Sequence, residues 1–189
     1  MIVICEKDRV NIAISLSKFA WNEKLSIASS DLLKKDNFPA WRIKGRKNTI
    51  MAAYCDSPSA DILRYKKGLF DKEINEETLR SYTIDVLRKI SEEYAAINIG
   101  CEIATRLVVA CGDRAYKIAK GVVLEVCDFF VDGADSSFIE GALARYKDLD
   151  CDARLKKTSQ IYKNHFGVPL APYGVIDTRN NSIRIVTED

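Results

Sequence analysis

The chain has 189 residues, 47% of them hydrophobic and 30% charged, with only 9 glycines and 4 prolines. A chain of this length buries roughly 70% of its unfolded surface, and its composition excludes a disordered or fibrous polymer. Twenty-nine basic against 27 acidic residues give a net charge of +2, without the charge runs that nucleic-acid binders carry.

No apolar run approaches the roughly 20 residues of a membrane span. Met1–Cys5 is apolar but is interrupted at once by Glu6, Lys7, Asp8 and Arg9, so no secretory leader is expected. The cysteines, at positions 5, 55, 101, 111, 127 and 151, are scattered and form no C-x-x-C pair. They read as reduced, buried thiols, which implies a cytoplasmic protein. His165 is the sole histidine, which excludes a multi-histidine metal site; no metal or cofactor is expected.

In chain order, Met1–Cys5 and Val10–Leu16 read as a β-hairpin around the charged turn Glu6–Arg9. A short strand is expected near Leu25–Ser29 and a turn at Asp36–Pro39. Arg42–Lys44 and Thr49–Cys55 form a second hairpin, whose second arm is apolar throughout and so is covered on both faces. Ser57 and Pro58 open a first helix that reaches Gly68, and a longer helix runs from about Glu76 to Ile97 on Leu79, Thr83, Val86, Leu87, Ile90 and Tyr94. Strands resume at Glu102–Cys111 and Ala115–Ile118, and Val122–Val131 continues the β-rich stretch. Ser136 or Ser137 starts a third helix bearing Phe138, Ala142 and Tyr146. Asp152 starts a fourth on Leu155, Ser159, Tyr162 and Phe166, stopped by Gly167. Tyr173–Asp177 and Ser182–Val186 close the chain as a hairpin.

Strands, two helices, strands, two helices and strands, in one domain over residues 1–189, argue an α+β fold. A four-layer αββα sandwich accounts for the doubly covered strands, with residues 57–97 on one outer face and 136–166 on the other. Val10–Leu16, Ile50–Tyr54, Leu107–Ala110 and Val122–Val126 are expected among the most buried segments.

Three segments carry a resemblance. They are Gly112–Ile118 with Gly121–Val126; Asp128–Val131 running into Asp132-Gly133-Ala134-Asp135-Ser136-Ser137 and the helix at Phe138; and Ile50–Cys55 leading into Ser59-Ala60-Asp61. Together they resemble the proteasome β-subunit and HslV family of N-terminal-nucleophile (Ntn) hydrolases. That resemblance implies a threonine hydroxyl at residue one as nucleophile, with its own amine as general base. It further implies a supporting lysine, an aspartate on the second strand, a Gly-Ser-Gly turn, and backbone N–H groups for the oxyanion.

On that resemblance the catalytic positions are degenerate. Met1 stands at the start, with Ile2 too bulky for ordinary methionine removal. Ser15 stands near the aspartate position, Trp41 or Arg42 at the lysine position, and Ala134 at the serine of Gly-Ser-Gly. Arg42 stays charged and is a poor proton shuttle. Ser15, Ser17, Trp41, Arg42, Lys44 and Cys55 are the cleft candidates. Their plainer readings are strand polar residues, a core aromatic, a solvated basic hairpin and an inert thiol. The function implied is a self-assembling, non-catalytic subunit, a homo-oligomeric ring or filament that an unfoldase or sister subunit could join. The alternatives are a live or remodelled amide hydrolase of the Ntn class and a monomeric peptide-binding module.

Overall fold

A tight turn at Lys7-Asp8 joins β1 (Ile2–Glu6) to β2 (Arg9–Ser15), in a register that runs from Glu6↔Arg9 to Ile2↔Ala13. Strand alternation splits the apolar side chains of this hairpin between two cores. Val3, Val10, Ile12 and Ile14 point one way; Ile2, Ile4 and Ala13 point the other. The pair is buried on both faces because each face meets a different layer.

The structure, a computed structural model, describes residues 1–16, 40–43, 49–54, 74–97, 106–119, 122–180 and 182–188. The remaining strands are β3 (Ala40–Arg42), β4 (Thr49–Tyr54), β5 (Arg106–Cys111), β6 (Arg114–Ala119), β7 (Val122–Glu125), β8 (Phe129–Val131), β9 (Tyr173–Asp177) and β10 (Ser182–Val186). The described helices are α1 (Leu79–Ile97), α2 (Ser136–Arg145) and α3 (Cys151–Phe166). One antiparallel five-stranded sheet has the order β10-β9-β2-β1-β8; the other has β3-β4-β5-β6-β7.

Three cores separate four layers. Between the sheets lie Val3, Ile12, Ile14, Ile50, Val108, Ala110 and Ile176. Between the first sheet and α2/α3 lie Ile4, Leu143, Leu155, Tyr162, Tyr173 and Val175. Between the second sheet and α1 lie Leu79, Tyr82, Val86, Ile90, Leu107 and Ile118. This is the αββα sandwich expected from the sequence. The first helix expected from Ser57, the strand near Leu25–Ser29 and the turn at Asp36–Pro39 lie outside the described residues.

Several boundaries differ from expectation, each for a local reason. β3 occupies Ala40–Arg42 rather than Arg42–Lys44, and the Ile43 N–H already turns toward the Thr49 carbonyl at 3.2 Å. α1 becomes regular at Leu79, after a turn capped by Asn75. The Asn75 side chain accepts from the Glu77 and Thr78 N–H groups at 3.0 and 2.9 Å, and the Asn75 N–H donates to Thr78 Oγ1 at 3.0 Å. α2 buries Ile139, Ala142 and Leu143, with Phe138 packed partly against the same core, whereas Tyr146 is its C-cap and not part of the buried face. α3 begins at Cys151, capped by Asp150, whose carboxylate accepts from the Ala153 N–H at 2.9 Å.

The largest correction concerns Val122–Val131. It splits into β7 and β8, which belong to different sheets. The Val126 N–H still bonds the Ala115 carbonyl at 2.9 Å, whereas the Asp128 carbonyl accepts from Cys5 N–H at 2.7 Å, so the chain changes sheets between these residues. Val126 is buried, but Val122 and Leu124 are 49% and 48% exposed. β7 is the outermost strand of its sheet, and its apolar composition did not disclose that position. Val10–Leu16 is buried apart from half-buried Ser15, and Leu107–Ala110 is buried as expected; of Ile50–Tyr54, Ile50 is buried and the side chains of 51–54 lie outside the described residues.

Candidate functional site at the open end of the sandwich

The two ends of the sandwich differ. At the end carrying the Lys7-Asp8 turn, the Val10 N–H and the Thr178 hydroxyl both donate to the Gly112 carbonyl, stitching the sheets together. The opposite end holds the start of β1 and the end of β2, while β3 runs from mid-sheet at Ala40 toward the Gly112 end at Arg42. Met1 and Leu16 enter the apolar inter-sheet core from that opposite end, at 8% and 2% exposure, and Ala40, at 0%, joins the same core further along the strands.

The flank of this end is built by the turn after β8. The Met1 amine donates to the Asp132 carbonyl at 2.8 Å, and the Asp132 N–H returns a bond to the Met1 carbonyl at 2.9 Å. The β1–β8 ladder therefore extends through Met1. Gly133 has φ 135° and Asp135 φ 60°, with exposed Ala134 between them. Asp135 holds a left-handed conformation that ordinarily suits glycine. Its carboxylate accepts the Tyr162 hydroxyl at 2.8 Å, and that bond holds the Tyr162 phenol above its ordinary range.

Ser15 is turned the other way. It stands opposite Tyr173 on the helical side of the sheet, and its hydroxyl donates to the Leu170 carbonyl. The Leu16 N–H bonds the Pro172 carbonyl at 2.8 Å, so the end of β2 is fastened to the 170–172 segment. That segment is fixed in turn by Ser159 Oγ, which accepts from the Leu170 and Ala171 N–H groups at 3.1 and 2.9 Å.

On the second sheet, Trp41 pairs with Met51, while exposed Arg42 pairs with Ile50 and so lies on the inter-sheet face. Ser17, Lys44 and Cys55 lie outside the described residues. Met1 and the Asp132–Asp135 turn thus share one end, the Ser15 hydroxyl leaves it, and Arg42 lies toward the other end of the sheets. Two residues here escape a reading of the sequence. Leu16 looks like any strand-end leucine, although it is buried in the inter-sheet core at this end. Asp135 follows Gly133 closely enough to signal a tight turn, but not which residue takes the positive φ.

Among the described cysteines, Cys5, Cys111 and Cys151 are held as thiols by burial, while Cys127 is exposed. Burial first, then Asp128, pushes the Cys5 thiol up to about 12, and burial likewise raises Cys151 to about 12. Among the described residues no group of three or more His, Cys, Asp or Glu comes together as a metal site. No helix among them is long and apolar enough to cross a membrane.

No family model and no curated protein matches the chain. Solved structures do. BPH of Thiobacillus denitrificans, in a structure with epoxomicin bound, aligns at TM-score 0.63 and 15% identity over 93% of this chain and 96% of that one. Anbu, the ancestral β-subunit, from Yersinia bercovieri aligns at 0.59 and 10% over 100% and 87%. HslV from Trypanosoma brucei aligns at 0.55 and 14% over 93% and 97%. The chain therefore has the proteasome-like Ntn-hydrolase fold, the architecture that BPH, Anbu and HslV share.

Proposed function

We propose that this chain is a proteasome/HslV-like subunit that has kept the scaffold and lost threonine-peptidase chemistry, acting as a self-assembling structural or partner-binding homologue. The observation that carries this reading is the burial of both strand termini at the open end. Met1 and Leu16 are 8% and 2% exposed and belong to the apolar inter-sheet core, where a nucleophile, a base and a charged orienting pair would have to converge. Ser15 spends its hydroxyl on the Leu170 carbonyl, and Ala134 has no hydroxyl to offer. Fold alone does not give function, so the loss of chemistry is argued from these side chains, and only the assembly from the likeness to BPH, Anbu and HslV.

Self-assembly follows from the same resemblance. A ring needs a heterologous contact whose rotation closes, and a filament one whose rotation does not. Light scattering on the purified chain, together with fluorogenic-peptide assays on the same sample, tests both halves. The reading expects a mass of several 21.3 kDa protomers and no turnover above a heat-inactivated control. A monodisperse monomer at micromolar concentration contradicts the assembly. Turnover abolished by changing a residue at the open end contradicts the loss of chemistry and favours a remodelled hydrolase.

A further inference from the structure

β7 ends its sheet, and among the described residues it pairs with β6 alone. A sheet edge with apolar side chains is a template for another strand. Val122 and Leu124 lie on one face of β7 at 49% and 48% exposure, while Val123 packs partly against the α1 side. At the same margin the other sheet ends in β8, where Lys117 Nζ covers the Phe130 ring at 4.2 Å. Two sheets thus finish side by side with an uncovered apolar strip between them and solvent.

We propose that this strip is a two-fold interface between copies of this chain, in which β7 pairs antiparallel with β7 of a second copy and Val123 lies on the axis. The side-chain pattern selects that register. With Val123 opposite its own equivalent, Val122 faces Leu124 of the second copy and Leu124 faces Val122, so all four half-exposed side chains meet on one face. A slip by one residue sets Val122 against Glu125 in one direction and Leu124 against Gly121 in the other, and loses the match either way. Charge favours the same register. The two Glu125 carboxylates fall four strand positions apart, about 13 Å at roughly 3.3 Å per residue, beyond the ~8 Å Debye length of physiological salt. An edge of four residues is small beside the roughly 1,600 Å² of a standard interface. The pairing is therefore concentration-dependent unless neighbouring surfaces join it. It differs from a ring contact, because a two-fold pairing closes on itself, and it holds whether or not the chain is catalytic.

The test is a Val123→Cys substitution in a Cys127→Ser background, which removes the exposed native thiol next to the strip. Directly opposed residues of an antiparallel pair lie about 4.5–5.5 Å apart at Cα, within the reach of a disulfide. With oxidised glutathione as oxidant, intact mass and peptide mapping should find a dimer linked through position 123. In the native sequence, Leu124→Lys should weaken self-association by roughly tenfold or more without changing the circular dichroism spectrum. A folded Val123→Cys chain that keeps a free thiol, or whose only links are to glutathione, overturns the proposal. So does a Leu124→Lys chain that associates as the parent does. A large assembly that persists without the position-123 link overturns this interface and leaves the ring or filament reading standing.

Discussion

Asp135 shows what a single residue contributes to the turn after β8. Its φ of 60° is a conformation that costs an L-residue about 1–2 kcal/mol, and the Tyr162 hydrogen bond offsets part of that. Two substitutions separate the contributions. Asp135→Ala loses the bond and keeps the strain; Asp135→Gly loses the bond and relieves it. The glycine variant should therefore be more stable than the alanine variant by about 1 kcal/mol, read from urea midpoints. Equal stabilities would show that the backbone is not strained here.

The buried thiols give a pH dependence of definite sign. Cys5 and Cys151 are pushed up to about 12, mainly by burial, and burial also raises Tyr173. As pH rises, the unfolded chain releases these protons before the folded chain does. Stability is therefore fully present below about pH 8.5 and declines as pH climbs toward 12. Urea midpoints at pH 7.5 and pH 10 should fall in that order. Among the described cysteines, exposed Cys127 should be alkylated first at neutral pH, and Cys5, Cys111 and Cys151 only on unfolding.

At the scale of elements, two glycines make opposite demands. Gly141 lies inside α2, and a Cβ there would meet nothing within 4 Å; Gly141→Ala should stabilise by about 0.5–1 kcal/mol. Gly167 is the left-handed C-cap of α3 at φ 75°, with equally open surroundings. Gly167→Ala should destabilise by about 1 kcal/mol through backbone strain alone. Thermal melts of the two variants should move in opposite directions.

The joint between the first hairpin and α3 rests on Glu6. Its carboxylate accepts from the Cys151 N–H at 2.9 Å, Arg9 Nε at 2.6 Å and Asn11 Nδ2 at 2.9 Å. Asn11 is fully buried, so Glu6→Ala removes an acceptor that water cannot easily replace, at about 1–3 kcal/mol. A loss below about 0.5 kcal/mol would mean that Arg184, which bonds Asn11 Oδ1 at 3.1 Å, holds this joint unaided.

At the scale of the molecule, the fold was legible because its signals are local and repeated. The hairpin at Lys7-Asp8, the helical stripe from Leu79 to Ile90, the Gly167 stop and the closing hairpin at Tyr173–Val186 each follow from periodicity and turn chemistry. What was not legible depends on neighbours. An apolar strand reads alike at the centre of a sheet and at its edge, so Val122–Val126 was taken for core while β7 faces solvent. Likewise, the direction of the Ser15 hydroxyl is set by Leu170, 155 residues away, and no spacing rule reaches that far. The residue types at Met1, Ser15 and Ala134 were readable directly. Their surroundings, above all the burial of Met1 and Leu16 in the inter-sheet core, emerge only when the two sheets are stacked.

The central claim, a proteasome-like scaffold without threonine-type chemistry, is tested most directly by intact mass spectrometry of the purified chain after incubation with an epoxyketone. That warhead needs both a nucleophile and a basic amine to be captured, so it reports the assembled machinery and not mere cleft binding. The account expects the mass to stay that of the unmodified chain. A stoichiometric adduct, mapped to the first residues or to the Ser15, Trp41, Arg42 or Cys55 region and lost when that residue is changed, would contradict it.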